Sequence, residues 1–548
     1  MNVRRLVLVS FVLFVLAAGS AGWVHAWDIE WIDQFGTPGT ESTSGVAVDP
    51  TGVYVAGGVL GALPGQAGAG GFDAYVRKYD FNGHVIWTRQ FGTLSTEISG
   101  GLARDATGIY VAGGTGGILG QAGAGRFDTF VRKYNADGTL LWTIQFGTTE
   151  TDVPFVHGIA SHSSGIYVAG GTFGTFPGAP AGVGLDTFVA RLDPDAGTVV
   201  WVRQFGIRGS DTFLQLGGVA ADDAGIYVAT TVAFPGSEDL LAVLRKYDFD
   251  GNLVWSRELP STSDCVANFR DVASNAGKTY VIGQWSNGAL AGPGFCRNRG
   301  FEAGPVVGVL QAFDAAGSLL WTRGIKGGTR TGKDAFTGGK NVTASDAGIF
   351  VGANLQSSFP GHPPGGSKSG HSECPGLGLP GAFGAFADEL DAYVRRYDFN
   401  GNVVWTHQFG SPVFDIVTNL AADGTSVYAV GDTSCRVAAE TTFFGGDRDA
   451  FVVRMAIDPT SPSGLVQLVV GRLDTLNDKG RFTPGEFASV VQRLEAALSA
   501  IERGDAPLAR QILETFIRDV EQQRKRGTLS SADVAPLIDG ANAVIAKL

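Results

Sequence analysis

Four cysteines are the residues of this chain whose spacing first suggests chemistry. Cys265, Cys296, Cys374 and Cys435 are even in number and show no CxxC spacing, so disulfides are favoured over a metal site. Four cysteines allow three connectivities. We favour Cys265–Cys296, which share one repeat of the sequence, and Cys374–Cys435, which come from loops of adjacent repeats.

A long Gly- and Pro-rich segment gathers several residues that could bind a metal. Residues 356–388 hold His362, His371, Glu373 and Cys374, and imidazole, carboxylate and thiolate are common metal ligands. We favour a lengthened loop held by a disulfide at Cys374 over a metal centre.

Two further features could contact an ion or a ligand. Turns such as Asp80-Phe81-Asn82-Gly83 resemble a calcium loop, but they lack the further ligands and the distal Glu of an EF-hand. No cofactor is therefore predicted, and calcium is kept only as an alternative.

Trp285 lies outside the repeat described below, in a segment interpreted as a loop, and is the candidate aromatic for ligand contact. The alternative for Trp285 is local packing.

The N-terminus and the overall charge narrow the classes of partner. Arg4 and Arg5 precede an apolar run, and Val24-His25-Ala26 offers a cleavage site, so residues 1–26 are predicted to be a secretory signal rather than an uncleaved anchor. Residues 27–470 hold 28 Lys and Arg against 42 Asp and Glu, a net charge of −14. Such an acidic chain argues against nucleic acid and anionic membranes as partners. No later segment could span a bilayer.

A repeat dominates the sequence and predicts its architecture. The stretch DAYVRKYDFNGHVIWTRQFGT at 73–93 has near copies at 128–148 and 391–411, and its tryptophan recurs at early spacings of 54 to 59 residues. Each unit contains four short extended segments rich in Val, Tyr, Phe and Trp. The tryptophans, predicted to pack between units rather than to stack on sugars, are Trp31, Trp87, Trp142, Trp201, Trp255, Trp321 and Trp405.

These units predict an all-β, seven-bladed β-propeller with four-stranded antiparallel blades. The repeated Asp-x-Asn/Asp-Gly turn joins the third and fourth strands of a blade, because Gly accepts a positive φ there. The chain opens with a Trp strand that lacks its partner, and DAFVVRM at 449–455 lacks a Trp strand. We expect these two strands to pair and to close the ring.

The repeat pattern resembles a known family. The elements GVAVD, GIYVAGGT and DAYVRKYD, followed by the Gly turn and the Trp strand, are similar to the bacterial SBBP-type β-propeller repeat. The similarity spans residues 27–455, and the fifth unit is degraded. The resemblance implies an exported seven-bladed propeller and carries no catalytic residues to transfer.

Past a Pro/Ser linker at 456–464, the hydrophobic period changes from strand to helix. Thr483-Pro484-Gly485-Glu486 reads as a capping box, and Ser530 with Asp533 caps a later helix. The Arg503-Gly504-Asp505 tripeptide is interpreted as a helix–helix turn rather than an integrin-type motif. Residues 465–548 are therefore predicted to form a small helical bundle. The phrase VVQRLEAALSAIERGDAPLARQILETFIRDVEQQ resembles the FIMAH domain, which implies association or attachment in an exported protein.

The functional prediction follows from repetition without a recognisable catalytic motif. It is an exported, secreted or cell-surface propeller that is not an enzyme and that binds an extracellular protein or glycan through its loops. The alternative is a propeller enzyme, either a glycosidase or lyase with carboxylates at the channel mouth or a quinoprotein-type oxidoreductase. The latter family typically has eight blades and vicinal cysteines, which this sequence lacks.

Overall fold

A computed structural model describes most of the chain. It covers residues 29–120, 123, 125–180, 184–206, 217–233, 240–260, 266–286, 306–325, 337–355, 390–411, 414–437 and 441–548. The predicted signal at 1–26 and the segment 356–388 thus lie outside the described residues. Among the described residues, no helix combines the length and apolar character needed to cross a membrane.

The described chain is mostly β, with many four-stranded sheets followed by four helices. In chain order the strands are β1 (Ile29–Phe35), β2 (Glu41–Asp49), β3 (Gly52–Leu60), β4 (Phe72–Tyr79), β5 (Val85–Phe91), β6 (Glu97–Arg104), β7 (Ile109–Thr115), β8 (Asp128–Tyr134), β9 (Leu140–Phe146), β10 (Asp152–His162), β11 (Gly165–Thr172), β12 (Asp186–Leu192), β13 (Val199–Phe205), β14 (Gly217–Asp222), β15 (Gly225–Ala233), β16 (Leu240–Tyr247), β17 (Leu253–Pro260), β18 (Val266–Asn275), β19 (Lys278–Ser286), β20 (Val306–Phe313), β21 (Leu319–Ile325), β22 (Thr337–Ser345), β23 (Gly348–Leu355), β24 (Asp391–Tyr397), β25 (Val403–Phe409), β26 (Asp415–Ala422), β27 (Ser426–Thr433) and β28 (Asp449–Ala456).

These strands form units of four antiparallel neighbours. Units one to six are β2–β5, β6–β9, β10–β13, β14–β17, β18–β21 and β22–β25, each paired in chain order. Unit seven combines β26, β27 and β28 with β1, so the first described strand pairs with the last, from Ile29 opposite Met455 to Phe35 opposite Ala450. A single parallel bridge, between His157 and Gly218, links units three and four.

The repeated turn explains why each outer hairpin forms. In the first unit the Asp80 carboxylate accepts hydrogen bonds from the backbone N–H groups of Asn82 and His84, both at 2.9 Å. Gly83 adopts a φ of +86°, which a residue with a Cβ rarely adopts. The carboxylate is therefore engaged by its own turn, which gives these aspartates a structural role.

The recurring tryptophans connect neighbouring units. Each lies on a fourth strand, and its indole Nε1–H donates to a backbone carbonyl of the next unit at 2.8 to 3.2 Å. The turn glycines make room for the ring, because a Cβ on Gly138 would lie 2.8 Å from the Trp87 indole. The donor and acceptor pairs are Trp31–Phe81, Trp87–Ala136, Trp142–Pro194, Trp201–Phe249, Trp255–Ala315, Trp321–Phe399 and Trp405–Ile457.

Arginines on the third strands also pack between units. The guanidinium of Arg77 lies 3.9 Å from the centroid of the Phe35 ring. Arg132 over Phe91 repeats this contact at 4.1 Å. Such stacking satisfies a buried cation while it fills the space between sheets.

Four helices follow the sheets, and their ends match the predicted caps. Thr483 and Glu486 form a capping box, Ser530 and Asp533 form another, and Asp505 caps the helix after the Arg-Gly-Asp tripeptide. The helices are α1 (Pro462–Asp478), α2 (Pro484–Glu502), α3 (Ala506–Lys525) and α4 (Ser531–Lys547), and they enclose one apolar core.

Helix α1 begins inside the segment 456–464 that the sequence predicts to be a linker. Ser461 accepts a hydrogen bond from the backbone N–H of Gly464, and Pro462 is the first residue of α1, so the helix includes the last three residues of that segment. A proline at the start of a helix loses no hydrogen bond, which is why the Pro-Ser sequence starts a helix here.

Helix α1 packs against β25, the outermost strand of unit six. The Thr475 hydroxyl accepts a hydrogen bond from the backbone N–H of Val403 at 3.0 Å, and Arg395 lies 3.4 Å from the Asp474 carboxylate. Both side chains of that ion pair are buried. Burial raises the pKa of Asp474 to about 7, and the charge of Arg395 opposes this shift.

Replacing Gly138 by alanine tests the contact between turn and tryptophan. Gly138 has a φ of +77° and has the Trp87 ring 2.8 Å from its Cβ position, whereas Gly65 has a φ of +74° and open space around it. We expect Gly65→Ala to lower the free energy of unfolding by about 1 kcal/mol from backbone strain alone, and Gly138→Ala to lower it by at least about 1 kcal/mol more. Equal losses in urea denaturation would contradict the proposed role of the close approach.

Replacing Gly471 by alanine tests the docking of α1. A Cβ there would lie 2.3 Å from the carbonyl oxygen of Val404, whereas Gly485 in α2 has no atom within 4 Å. We expect Gly471→Ala to lower the melting temperature and to increase cleavage between Ala456 and Pro462, because overpacking costs about 1–3 kcal/mol. Gly485→Ala serves as the control, with unchanged or slightly raised stability. Identical behaviour of the two variants would show that α1 does not need this close contact.

Candidate functional site

The first strands of the units bring polar residues together at one place. Neighbouring first strands contact one another along the chain, from β2 with β6 to β22 with β26, and β26 also contacts β2. The first strands of the described chain therefore surround a common centre. Side chains that point away from the second strand of their own unit can meet there, although they are far apart in sequence.

β-Bulges decide which residues are placed at this centre. In several first strands, the pairing with the second strand skips one residue. Such a bulge changes the direction in which the skipped side chain points from the sheet. The bulged residues are Ser44 in β2, Gly100 in β6, Arg270 in β18, Lys340 in β22 and Thr418 in β26.

The residues that follow the bulges bridge the last units. The Asp271 carboxylate accepts a hydrogen bond from the backbone N–H of Val342 at 2.9 Å. The Asn341 amide donates to the carbonyl oxygen of Val417 at 2.9 Å, and the Asn419 amide donates to that of Ser44 at 3.1 Å. Units five, six, seven and one are thereby joined by side chains at the centre.

His157 of unit three reaches across to this chain of hydrogen bonds. It lies in a wide bulge of β10, where residues 155–158 stand between the paired residues Pro154 and Ile159. Its Nδ1 is 2.9 Å from the amide nitrogen of Asn419 and 3.7 Å from the carboxylate of Asp271. An amide N–H can only donate, so we assign the ring proton to Nε2.

Burial sets the charge of these two groups. It lowers the pKa of His157 to about 4, with the charge of Lys340 acting in the same direction. Burial also raises the pKa of Asp271 well above its usual range. His157 is therefore neutral at neutral pH and acts as a hydrogen-bonding group rather than a cation.

Arg270 and Lys340 introduce positive charge beside His157. Burial lowers the pKa of Lys340 to about 8, and the charges of Arg270 and Arg448 lower it further while Asp432 opposes them. Burial alone accounts for the lowered pKa of Arg270. Its Nε has no hydrogen-bond partner within the described chain. Arg270 and Lys340 are both half-buried, and the positive charge of Arg270 acts on Lys340.

Asp432 is the carboxylate whose charge acts on Lys340, and it is engaged elsewhere. Its Oδ1 accepts hydrogen bonds from the backbone N–H and the hydroxyl of Thr43, at 2.8 and 3.0 Å. Its Oδ2 lies 4.0 Å from Arg448. Burial raises the pKa of Asp432 to about 6. We call His157, Arg270, Asp271, Lys340, Asn419 and Asp432 the central cluster.

A second set of acidic residues lies where the first strands begin. The Asp415 carboxylate accepts hydrogen bonds from the backbone N–H and the hydroxyl of Ser411, at 2.6 and 2.8 Å. Its other oxygen is buried without a hydrogen-bond partner among the described residues. Burial raises the pKa of Asp415 to about 7, and the charge of Asp391 adds to this. Similar pairs are Glu41 with Asp449, Glu97 with Asp73 and Asp152 with Asp128.

The site residues predicted from sequence are not part of the central cluster. Trp285 belongs to β19, where its backbone pairs with Ala267 and Val307, so its placement in a loop was wrong. Hydrogen-bonded pairing with β18 on one side and β20 on the other extends β19 beyond its apolar residues. Cys435 is buried and disulfide-bonded. The residues that lie outside the described chain are Cys265, Cys296, Cys374, His362, His371 and Glu373, so the disulfide pairing stays a prediction.

Sequence reasoning missed the central cluster because its members are in separate units. The sequence did contain one signal for these residues, a charged residue in the middle of a first strand. Examples are Arg270 in VANFRDVASN and Lys340 in TGGKNVTAS. At most other positions the first strands carry small or apolar residues. Among the described residues, no group of three or more His, Cys, Asp or Glu side chains is arranged to hold a metal ion.

Comparison with known proteins identifies the C-terminal domain. Residues 467–546 match the FIMAH domain family. The chain ends in a FIMAH domain. No curated protein sequence matches the chain. The SBBP assignment of the repeats is not shown by a family match and stays a prediction.

Several solved structures resemble the chain at a low level. A neuraminidase-like protein of A/little yellow-shouldered bat/Guatemala has 9% identity and a TM-score of 0.31, over 78% of this chain and 99% of its own. The GH43 endo-arabinanase from Bacillus licheniformis has 9% identity and a TM-score of 0.26, over 52% of this chain and 100% of its own. An α-L-arabinofuranosidase from Clostridium thermocellum has 12% identity and a TM-score of 0.27, over 52% and 94%.

These comparisons correct the prediction that the protein is not an enzyme. The similar structures include glycosidases by name, so a non-catalytic status inferred from missing sequence motifs does not stand. A motif search is a weak test here, because the polar residues at the centre come from different units. The TM-scores are too low to assign any activity or substrate to this chain.

The raised pKa of Asp415 predicts a pH dependence of stability. The folded state keeps a proton that the unfolded state releases between about pH 4 and the folded pKa of about 7. Stability from this group is therefore present at low pH and is lost as the pH rises through 7. We expect Asp415→Asn to make the decline in unfolding free energy between pH 4 and 7 shallower, by about 1.4 kcal/mol per unit of pKa difference.

The control for this measurement is Asp137→Asn, which changes an exposed carboxylate in a turn. Chemical denaturation at several pH values gives the slopes. The assignment is wrong if Asp415→Asn and the wild-type protein lose stability in parallel over this range.

Proposed function

We propose that residues 27–455 form a closed seven-bladed β-propeller that binds an extracellular protein or glycan at its centre and through the surrounding loops, and that the protein is exported. The pairing of β1 with β28 and the contact of β26 with β2 support closure. The FIMAH domain at 467–546 supports an extracellular location, and its proposed role is association or attachment.

The central cluster is the observation that carries this proposal. Buried and half-buried charged and amide groups from units three, five, six and seven converge there. Structural repetition alone does not require such groups, and burying a cation without full pairing lowers stability. Polar groups kept at such a place are typical of a binding site.

The loops that could surround a ligand leave the sheets at one edge. Connections between the first and second strands are short, for example residues 50–51 and 163–164. Connections between the second and third strands are longer and differ in length, for example 116–127 and 356–390. Specificity is expected in loops that vary on a common scaffold.

Apolar side chains are exposed at the same edge, Ile118 in the connection between β7 and β8 and Leu94 in the connection from β5 to β6. Leu94 is 92% exposed and Ile118 is 66% exposed. They belong to neighbouring loops, since a Cβ on Gly117 would lie 2.2 Å from the Thr93 hydroxyl. Exposed apolar groups beside a polar centre are consistent with contact to a partner.

Retention on immobilised extracellular glycans and matrix proteins tests this function, with turnover of the bound material scored in parallel. We expect the double variant Leu94→Ser, Ile118→Ser to lose about tenfold or more in retention. The control is Val200→Ser, Val254→Ser, which changes two exposed apolar residues of the fourth strands. Equal retention of the two variants would contradict binding at the loop edge.

A further inference from the structure

We propose that Gln34 and the loop residues Cys435, Val437 and Thr441 form a latch that holds β1 in unit seven, and that the disulfide of Cys435 makes this latch sensitive to thiol reductants. The inference rests on the proposed closure of the ring and names a condition under which the ring opens. No hairpin joins β1 to β28, its partner strand from the other end of the chain. The attachment of β1 therefore depends on backbone pairing and on side-chain contacts.

Gln34 of β1 is the centre of the latch. Its Nε2 donates to the carbonyl oxygen of Cys435 and to the carboxylate of Asp449, both at 2.9 Å. Its Oε1 accepts a hydrogen bond from the backbone N–H of Val437 at 3.0 Å and from the hydroxyl of Thr441 at 2.8 Å. All five residues are buried. Withdrawal of the loop would therefore leave buried polar groups of β1 without partners, which is costly.

Units one to three contain the same contact without a cysteine. In each of them a fourth-strand glutamine donates to the carbonyl oxygen of a glycine that follows the second strand, at 2.7 to 3.0 Å. The pairs are Gln90–Gly61, Gln145–Gly117 and Gln204–Gly174. There the third and fourth strands are joined by a hairpin. In unit seven the contact joins residues 401 positions apart, and Cys435 takes the place of the glycine.

The disulfide anchors the carbonyl group that Gln34 uses. Cys435 is 2% exposed and disulfide-bonded. The hydroxyl of Thr433, the last residue of β27, donates to the Cys435 carbonyl oxygen at 2.9 Å. The other three cysteines lie in sequence between β17 and β18, β19 and β20, and β23 and β24. Each possible pairing thus ties the loop to an earlier part of the chain, and such a crosslink restricts the positions that the loop can take.

Reduction removes this anchor. Two molecules of a thiol such as glutathione become one disulfide, while Cys435 and its partner each become a thiol. β1 then keeps its backbone pairing with β28, but the loop that accepts Gln34 is free to move away. Disulfides persist in oxidising compartments, so the latch is closed in an exported protein and released where thiols are kept reduced.

Hydrogen–deuterium exchange of the full chain, read by mass spectrometry, tests the latch. We expect dithiothreitol to raise the exchange rate of the β1 amides about tenfold or more, and to change that of β9 in unit two by less than about twofold. Dithiothreitol breaks every disulfide of the chain, so Cys435→Ser is measured without reductant, with the freed thiol blocked by iodoacetamide. It is expected to give the same increase in β1.

A matched pair of variants separates the latch from general destabilisation. Gln34→Leu removes the contact at the two chain ends, and Gln90→Leu removes the equivalent contact of unit one. We expect Gln34→Leu to raise exchange in β1 about tenfold, and Gln90→Leu to leave it unchanged. Reduction of Gln34→Leu should add less than about twofold, because the latch is already open.

Three results would overturn the inference. Slow exchange of β1 in reduced wild-type protein and in Cys435→Ser would show that the disulfide does not control the latch, while closure of the ring would stand. An equal rise of β1 exchange in Gln90→Leu would show a general loss of stability. Fast exchange of β1 in the oxidised wild-type protein would contradict closure itself, and with it the proposed propeller. Reduction of the wild-type protein decides the question if a variant fails to fold.

Discussion

The contact between each fourth-strand tryptophan and the next unit is the interaction on which the arrangement of sheets depends. The indole N–H needs an acceptor when it is buried, and the next unit supplies a backbone carbonyl oxygen each time, from its hairpin turn in six cases and from Ile457 after β28 for Trp405. The glycine of that turn lets the ring approach its backbone. One residue type therefore serves two purposes, because the same glycine closes a hairpin and accommodates the neighbouring sheet.

Much of the fold could be predicted because its signals are local. The Asp80 turn, the Thr483 cap and the Trp strands depend on residues within a few positions of one another. The pairing of β1 with β28 was also predictable, since each end lacked a partner. Arg270 and Lys340 could not be placed, because a bulge shifts register by one residue and reverses which face a side chain occupies. Trp285 was misplaced for a related reason, as its strand is extended by neighbours distant in sequence.

The central cluster shows why absence of a motif says little about chemistry in a repeat protein. His157, Asp271 and Asn419 come from three units, yet they lie within hydrogen-bonding or ion-pairing reach of one another. No short pattern of residues could describe them. Burial shifts the pKa values of His157 and Asp271 more than any single neighbour does, so the surrounding sheets determine the charge of both groups.

Helix α1 covers Val403 and Val404 of unit six, while the equivalent pairs, such as Leu253 with Val254 and Leu319 with Leu320, are exposed. The outer rim thus offers the same kind of surface several times, but the chain uses it once, where Gly471 and Asp474 meet β25. Unit six therefore differs from the units whose matching residues stay exposed. The helical domain is therefore fixed beside unit six, so anything attached to α1–α4 is held next to this unit rather than next to the others.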